Sequence, residues 1–341
     1  SGMTSFIVPT PDQLSLAQGI AEFLAGNFPI DRFRSDKSND ADSWTDLADM
    51  GAIGISLAES DGGLGLTWAD EALVCREAGR YLLSPALVGS IIAVKIAAQN
   101  GQTELRDALL NGERRAGMAT VRAAGEVQVI DGSEGLFVLV KADRLALIEP
   151  GESGMTSATC IDDTVQLNNA VLRIEPDWIE DRSQALGAHL LLAAMLCGLL
   201  ETTRDKAAEY ARTRVQFGRP IGAFQAIKHR CADIALAAEL CWLQTLQAVD
   251  ALQSGAVDAE FHVLSAKMLA GDEALKAVRF NIQAHGGMGF TDEVDAHRLM
   301  KRTHVLHQLL DDPRLVRARL VDLPHEAAYD ITTAPYLTME S

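Results

Sequence analysis

Two short segments of this 341-residue sequence concentrate residues suited to holding a charged, planar ligand. The first runs Tyr210-Ala211-Arg212-Thr213-Arg214-Val215-Gln216-Phe217-Gly218-Arg219-Pro220-Ile221 and continues to Phe224 and Gln225. Arg214 falls where a helical pattern ends, and a guanidinium there can hold a pyrophosphate through two parallel charge-assisted hydrogen bonds. Phe217 offers an aromatic face for an adenine ring. The second segment is Gln283-Ala284-His285-Gly286-Gly287-Met288-Gly289-Phe290. Gln283 has both a donor and an acceptor, and Gly286 and Gly287 let a ligand approach backbone N–H groups with no Cβ in the way. This is chemistry for binding a dinucleotide without a Rossmann loop. The plainer alternative is that Arg214 and Gln283 cap helices and the glycines only make a turn.

Both segments lie in a helical final third. Long amphipathic stretches cover Ser183–Thr213, Ala223–Gln253 and Ala256–His285, with a shorter one at Asp295–Leu310; helices of this length packed side by side imply a bundle. The first third is also helical. Thr10-Pro11-Asp12 is a cap residue with proline at the first helical position, and helices fit Asp42–Met50, Thr67–Tyr81, Pro85–Gln99 and Thr103–Leu110. Between these parts, Ala116–Val121, Val127–Ile130, Leu136–Val140 and Leu145–Ile148 read as short strands punctuated by Gly132, Gly135, Gly151 and Gly154, in a small β unit ending near Leu172.

Composition excludes several partners. With 30 basic and 47 acidic residues the net charge is −17, which repels nucleic acid and anionic membrane surfaces. Cys75, Cys160, Cys197, Cys231 and Cys241 are odd in number, scattered and in no CxxC arrangement, which fits a reducing, cytoplasmic setting. The apolar run Ala185–Leu200 is interrupted by Gly187, His189 and Gly198 and reads as a buried helix, not a membrane span. No signal-peptide pattern precedes the first helix, and Ser1 and Gly2 read as tag residues outside the fold.

At this separation, the two segments resemble the C-terminal helical domain of acyl-CoA dehydrogenases. Trp44, Gly51, Gly54 and Gly62-Gly63-Leu64-Gly65 follow the order of that family's N-terminal third, and the β region is the poorest match. The resemblance implies an α+β, mostly α fold: an N-terminal helical domain over 3–113, a reduced β domain over 114–178, a C-terminal four-helix bundle over 179–330 and a tail over 331–341. It implies FAD as cofactor. Arg214, Gln216, Phe217, Gln225, Gln283, Gly286 and Gly287 would then form the adenosine and pyrophosphate edge of an FAD held mainly by a neighbouring subunit.

The family's reaction removes a weakly acidic α-proton from an acyl thioester while hydride passes from the β-carbon to the flavin, and it needs a positioned base. Most members keep a glutamate in a Glu-Gly-Thr-like stretch beyond the GGxG motif, where this chain has Leu310-Asp311-Asp312; a minority keep it on the helix before the arginine motif, where this chain has Ala188. Neither leucine nor alanine accepts a proton, so no catalytic residue is expected. The Thr-Glu-Pro-x-Ala-Gly-Ser-Asp-like segment and the tryptophan strand that line the flavin ring are not recognisable between Arg115 and Asp177. The chain therefore resembles the non-catalytic subunit of actinobacterial α2β2 acyl-CoA dehydrogenases, several from sterol side-chain degradation. The resemblance implies a catalytic partner subunit or self-association, an acyl-CoA substrate and an electron-transferring flavoprotein as acceptor. Two alternatives stay open: a self-sufficient homotetramer using Asp311 as base, and a flavin-free scaffold that has kept only the fold.

Other clusters carry less. His304, His307 and Asp311 have the i, i+3, i+7 spacing of one helix face, with His297 nearby, and read as a solvated or subunit-facing surface with no metal. Arg298, Lys301, Arg302, Arg314, Arg317 and Arg319 form a basic set that could meet CoA phosphates, acidic partner residues or only solvent. The Gly62–Gly65 loop lacks a following Gly-Lys-Ser/Thr and reads as a turn between helices.

Overall fold

The computed structural model describes residues 8–34, 40–122 and 126–323; the expected tag residues and the tail after 330 lie outside them. Five helices make the N-terminal unit: α1 (Pro11–Asn27), α2 (Asp40–Asp49), α3 (Trp68–Arg80), α4 (Ala86–Gln99) and α5 (Thr103–Leu110). Helix α1 starts where the sequence places it. The Thr10 N–H donates to Gln13 Oε1 at 3.0 Å and Thr10 Oγ1 accepts from the Gln13 N–H at 3.3 Å, a reciprocal capping box ahead of Pro11. Gly62 and Gly65 adopt left-handed backbone in the loop before α3, as a turn requires.

The middle of the chain forms one seven-stranded sheet in the order β5-β6-β2-β1-β3-β4-β7. Its strands are β1 (Gly117–Val121), β2 (Val127–Ile130), β3 (Phe137–Lys141), β4 (Arg144–Ile148), β5 (Ser153–Ala158), β6 (Leu167–Leu172) and β7 (Ile179–Glu180). All pairings are antiparallel except β1 with β3. The alternation of side chains divides the sheet between two cores. Met118, Ile130, Val138 and Val140 join the main core, whereas Ala119, Val129, Phe137 and Leu139 fill a separate cluster on the other face. The sheet has more strands than the four read from the sequence: β5 is a polar edge strand and β6 a polar strand between β5 and β2, neither with clear apolar alternation, and β7 passes the expected boundary at 178.

The last part holds α6 (Arg182–Thr213), α7 (Gln225–Gln253), α8 (Ala259–His285), α9 (Ala296–Gln308) and α10 (Pro313–Asp322), with a two-residue hairpin, β8 (Val215–Gln216) and β9 (Arg219–Pro220), between α6 and α7. Helix α6 is apolar and long enough to cross a membrane by composition, yet its apolar window is wholly buried inside the fold. It crosses α3 closely because Gly198 has no Cβ, which would otherwise stand 1.8 Å from the Arg76 carbonyl oxygen. Arg302 of α9 ties the three parts into one body. Its guanidinium donates to Asp162 before β6, to Thr164 Oγ1 and to the carbonyls of Leu82 and Leu83, at 2.6 to 2.8 Å. Both Arg302 and Asp162 are buried, so the β unit is pinned to the helices by a desolvated ion pair.

Candidate cofactor edge and the closed catalytic position

The ends of α6 and α8 meet at a stacked pair: the rings of Tyr210 and His285 lie 3.8 Å apart at 24°. Arg214 follows one helical turn after Tyr210, and Gly286 follows His285 directly, so the stack brings the two sequence segments to one edge. Arg214 is the C-cap of α6, with its N–H bonded to the Tyr210 carbonyl and its side chain exposed. Beyond it, β8 and β9 turn through Phe217 and Gly218, both with positive φ (52° and 76°), the geometry of a tight two-residue hairpin. Glycine suits that backbone and phenylalanine does not. The strained turn holds the Phe217 ring 91% exposed, edge-on to Phe224 at 6.1 Å.

Gln225 opens α7 and is exposed, as is Gln283 in the last turn of α8. The Gln216 side-chain amide donates to the neighbouring Val215 carbonyl at 2.9 Å. Gly286 breaks α8 with φ of 60°, and the space that a Cβ would enter at Gly286 and Gly287 is open. Gly289 differs: a Cβ there would lie 2.6 Å from the Ile282 carbonyl oxygen, so it packs the turn against α8. The seven expected cofactor residues thus lie at the adjoining ends of α6, the hairpin, α7 and α8. All seven are exposed there.

The expected base positions lie inward. Ala188 of α6 is fully buried and Leu310 is 1% exposed, both in the main core. Helix α9 ends at Gln308, two residues short of the expected limit, and the following turn is held by three different elements. Lys267 of α8 donates to the Leu309 carbonyl, the Leu310 N–H donates to Thr120 Oγ1 of β1 at 2.9 Å, and His189 of α6 meets Asp311 at 3.3 Å. Leu310 itself takes a left-handed φ of 76°. Because α9 has ended, Asp311 is not on a helix face with His304 and His307; its carboxylate is committed to His189.

The protonation pattern of this cluster follows from its donors. An ammonium has no acceptor, so Lys267, 3.5 Å from His189 Nδ1, makes that nitrogen the acceptor and leaves Nε2–H to donate to Asp311. Burial, then the positive charges of Lys267 and Arg319, hold His189 well below the usual histidine range, so it is neutral at pH 7. Burial pulls Lys267 down to about 8 against the raising effect of Asp311. The sequence reading missed both residues. The available signal was a lysine among Val263, Leu264, Ala266, Met268 and Ala270 on the buried side of α8.

A cavity of about 270 Å³ separates the sheet from α9, lined by Thr120, Ile130, Cys160, His304, Gln308 and Leu309 among others. It lies at the small end of ligand pockets, which run from roughly 300 to 1,000 Å³. The basic set is spent internally. Arg298 pairs with Asp292 and Asp295, Lys301 with Asp163, Arg302 with Asp162, Arg314 with Asp312, Arg317 with Asp272 and Arg319 with Glu260. The histidines depart from the expected open surface too, since His297 and His307 are buried against Asp292 and Asp272; among the described residues no group of three could hold a metal.

Residues 10–113 match the N-terminal domain model of acyl-CoA dehydrogenases, and residues 186–309 match the C-terminal domain model. Over 291 residues the chain is 31% identical to acyl-CoA dehydrogenase IpdE2 of Mycobacterium tuberculosis, covering 84% of this chain and 87% of that one. The chain belongs to the acyl-CoA dehydrogenase family. Its sheet falls between the two matched domains. Among solved structures of this dehydrogenase fold, the ChsE4-ChsE5 complex of Mycobacterium tuberculosis superposes with a TM-score of 0.77 at 19% identity, covering 94% of this chain and 100% of that one. A structure described as the Tcur3481-Tcur3483 steroid ACAD superposes with a TM-score of 0.75 at 24% identity, over 91% of this chain and 97% of that one. The family is one of FAD-dependent oxidoreductases. The exposed guanidinium, aromatic ring and open glycine backbone at the edge are chemically compatible with a dinucleotide, while Leu310 in the Leu309–Asp311 turn carries no titratable group.

Proposed function

We propose that this chain is the non-catalytic subunit of a heteromeric acyl-CoA dehydrogenase. It lends the adenosine and pyrophosphate edge to an FAD seated mainly in a partner subunit, and that partner supplies the glutamate base. The observation that carries this reading is Leu310: where most of the family keeps its carboxylate, this chain has a buried aliphatic side chain in a turn fastened by Lys267, Thr120 and His189. A proton acceptor cannot work from there.

In the assembly, FAD supplies hydride acceptance. Arg214 would grip the pyrophosphate from the end of α6, Phe217 would cover the adenine, and Gln216, Gln225 and Gln283 would fix the adenosine by hydrogen bonds. Gly286 and Gly287 would let it approach the α8 terminus. No group of this chain takes the α-proton, and Asp311 does not substitute, because its carboxylate accepts from His189. The substrate is an acyl-CoA whose bulky acyl group, of the steroid class, uses room that a second acyl site would otherwise fill. The acceptor is an electron-transferring flavoprotein. Two comparisons support this assignment, the fold shared with a two-component complex and the fold shared with a steroid ACAD.

The test is the flavin absorbance of the refolded chain alone and with its partner. Little flavin alone and stoichiometric flavin in the complex is the expected result. A stoichiometric flavin spectrum from the lone chain sinks the shared-site reading, and a complex free of flavin favours the scaffold. In the native complex, Asp311→Asn should leave turnover unchanged; loss of turnover would make Asp311 the base and the chain self-sufficient.

A further inference from the structure

We propose that the Leu309–Asp311 turn is a movable plug in the floor of the cavity between the sheet and α9, and that the proton on Lys267 sets how firmly it is shut. The geometry concentrates two costs in three residues. Leu310 holds a left-handed backbone that glycine prefers. Lys267 buries its ammonium almost completely. That ammonium meets the Leu309 carbonyl and the His189 imidazole, but among the described residues no carboxylate at ion-pair distance. A buried ammonium without an ion pair is relieved in two ways, by losing its proton or by reaching water. Moving the turn provides the second.

What holds the plug shut is the Leu310 N–H bond to Thr120, the Lys267 bond to the Leu309 carbonyl, which a neutral amine also makes, and the burial of Leu309 and Leu310. Thr120 and Leu309 also line the cavity, so opening deepens it at the place where the family keeps its base. The charges around Lys267 set the sign. From the turn Asp311 favours its proton, while from α6 His189 is neutral and contributes no charge. On α9, His307 is held low by burial and is paired with Asp272. Arg319 of α10 adds positive charge near His189 and is itself paired with Glu260. Desolvation outweighs Asp311, so the shut turn disfavours the ammonium. Raising the pH therefore tightens the plug, and lowering it toward neutrality loosens it.

The Leu310 amide reports this directly, because its hydrogen exchanges only when its bond to Thr120 opens. The experiment is hydrogen exchange on the full chain, corrected for intrinsic chemistry, with the Leu196 amide in the centre of α6 as the reference for global unfolding. With Lys267 near 8 in the shut state and its ordinary 10.5 when open, protection at Leu310 should rise roughly 30-fold between pH 7 and 9.5, while remaining below that of Leu196. Lys267→Met, of similar volume, should give high protection with no pH dependence. A flat profile in the native chain overturns the proposal, as does exchange at the Leu196 rate. Lower protection in Lys267→Met also overturns it, since Lys267 would then be a plain structural donor. If that variant does not fold, the native profile alone decides.

Discussion

The edge formed by Arg214, Phe217, Gln283 and Gly287 and the turn formed by Leu309, Leu310 and Asp311 are built in opposite ways. At the edge, polar side chains and an aromatic ring face outward, and a strained hairpin holds Phe217 in solvent with no gain in packing. At the turn, backbone and side-chain polar groups find partners inside the chain, and the leucine side chains are spent on the core. Surface that the isolated chain does not use is surface for something outside it. The contrast is what the proposed role, a subunit that assists without reacting, requires.

The contrast is sharpest where removing a group disturbs only the inside. Asp162→Ala leaves the buried Arg302 guanidinium without its carboxylate and should destabilise the chain by about 3–5 kcal/mol in urea denaturation. A loss below about 1 kcal/mol would mean that water reaches the junction and that the β unit is not pinned to α9. Leu310→Glu comes next, at about 3 kcal/mol, from lost apolar burial and a carboxylate set among core side chains. In a complex whose partner has lost its own glutamate, this variant should give no dye-reduction turnover. Turnover would show that an acyl pocket persists and erase the difference between the two regions.

At the open edge the effects should invert. Arg214→Ala should change the chain's own stability by no more than about 0.5 kcal/mol, since its side chain is exposed. The same change should weaken FAD binding in the complex by roughly 1.5–3 kcal/mol, the value of a hydrogen bond to a charged group. A fluorescence titration of the apo-complex with FAD reads this. Unchanged affinity would leave Arg214 a cap residue and nothing more.

Much of this was legible in the sequence, for reasons that differ by region. Thr103–Leu110 and Val127–Ile130 end where periodicity and glycine punctuation place them, and α1, α3 and α6 begin within a residue of their expected starts. The exposed edge that the proposal assigns to the cofactor could be picked out because Arg214 and the Gly286-Gly287 pair are types whose chemistry does not depend on burial. The Lys267–His189–Asp311 cluster was not, because it joins three separate elements. Asp311 was set on the wrong face for a simpler reason: α9 stops at Gln308, and the leucines after it continue an apolar pattern that does not register the break. Helix α10 was missed because its arginine-rich sequence buries only Val316. The polar strands β5 and β6 were missed because each buries a single residue, Ser153 and Ala170, and so shows little apolar alternation.

The smallest effect tests whether the inner region is as dry as its contacts imply. His189 lies well below its ordinary 6.5 in the folded chain, from burial first and then from Lys267 and Arg319. In the unfolded chain it regains that ordinary value. Below about pH 6.5 the unfolded chain therefore takes up a proton that the folded chain refuses, so stability falls as pH falls, by at most about 1.4 kcal/mol per unit. His189→Gln keeps an acceptor for Lys267 and a donor for Asp311 but cannot be protonated. Urea midpoints at pH 7.5, 6.5 and 5.5 should show a decline in the variant that is shallower by about 1 kcal/mol over the lowest step. Part of the decline should survive, since burial also holds His304 and His307 below the usual range. Equal slopes in the two chains would mean that His189 accepts a proton while folded. Water would then already reach the cluster, and the inner turn would be a second open edge.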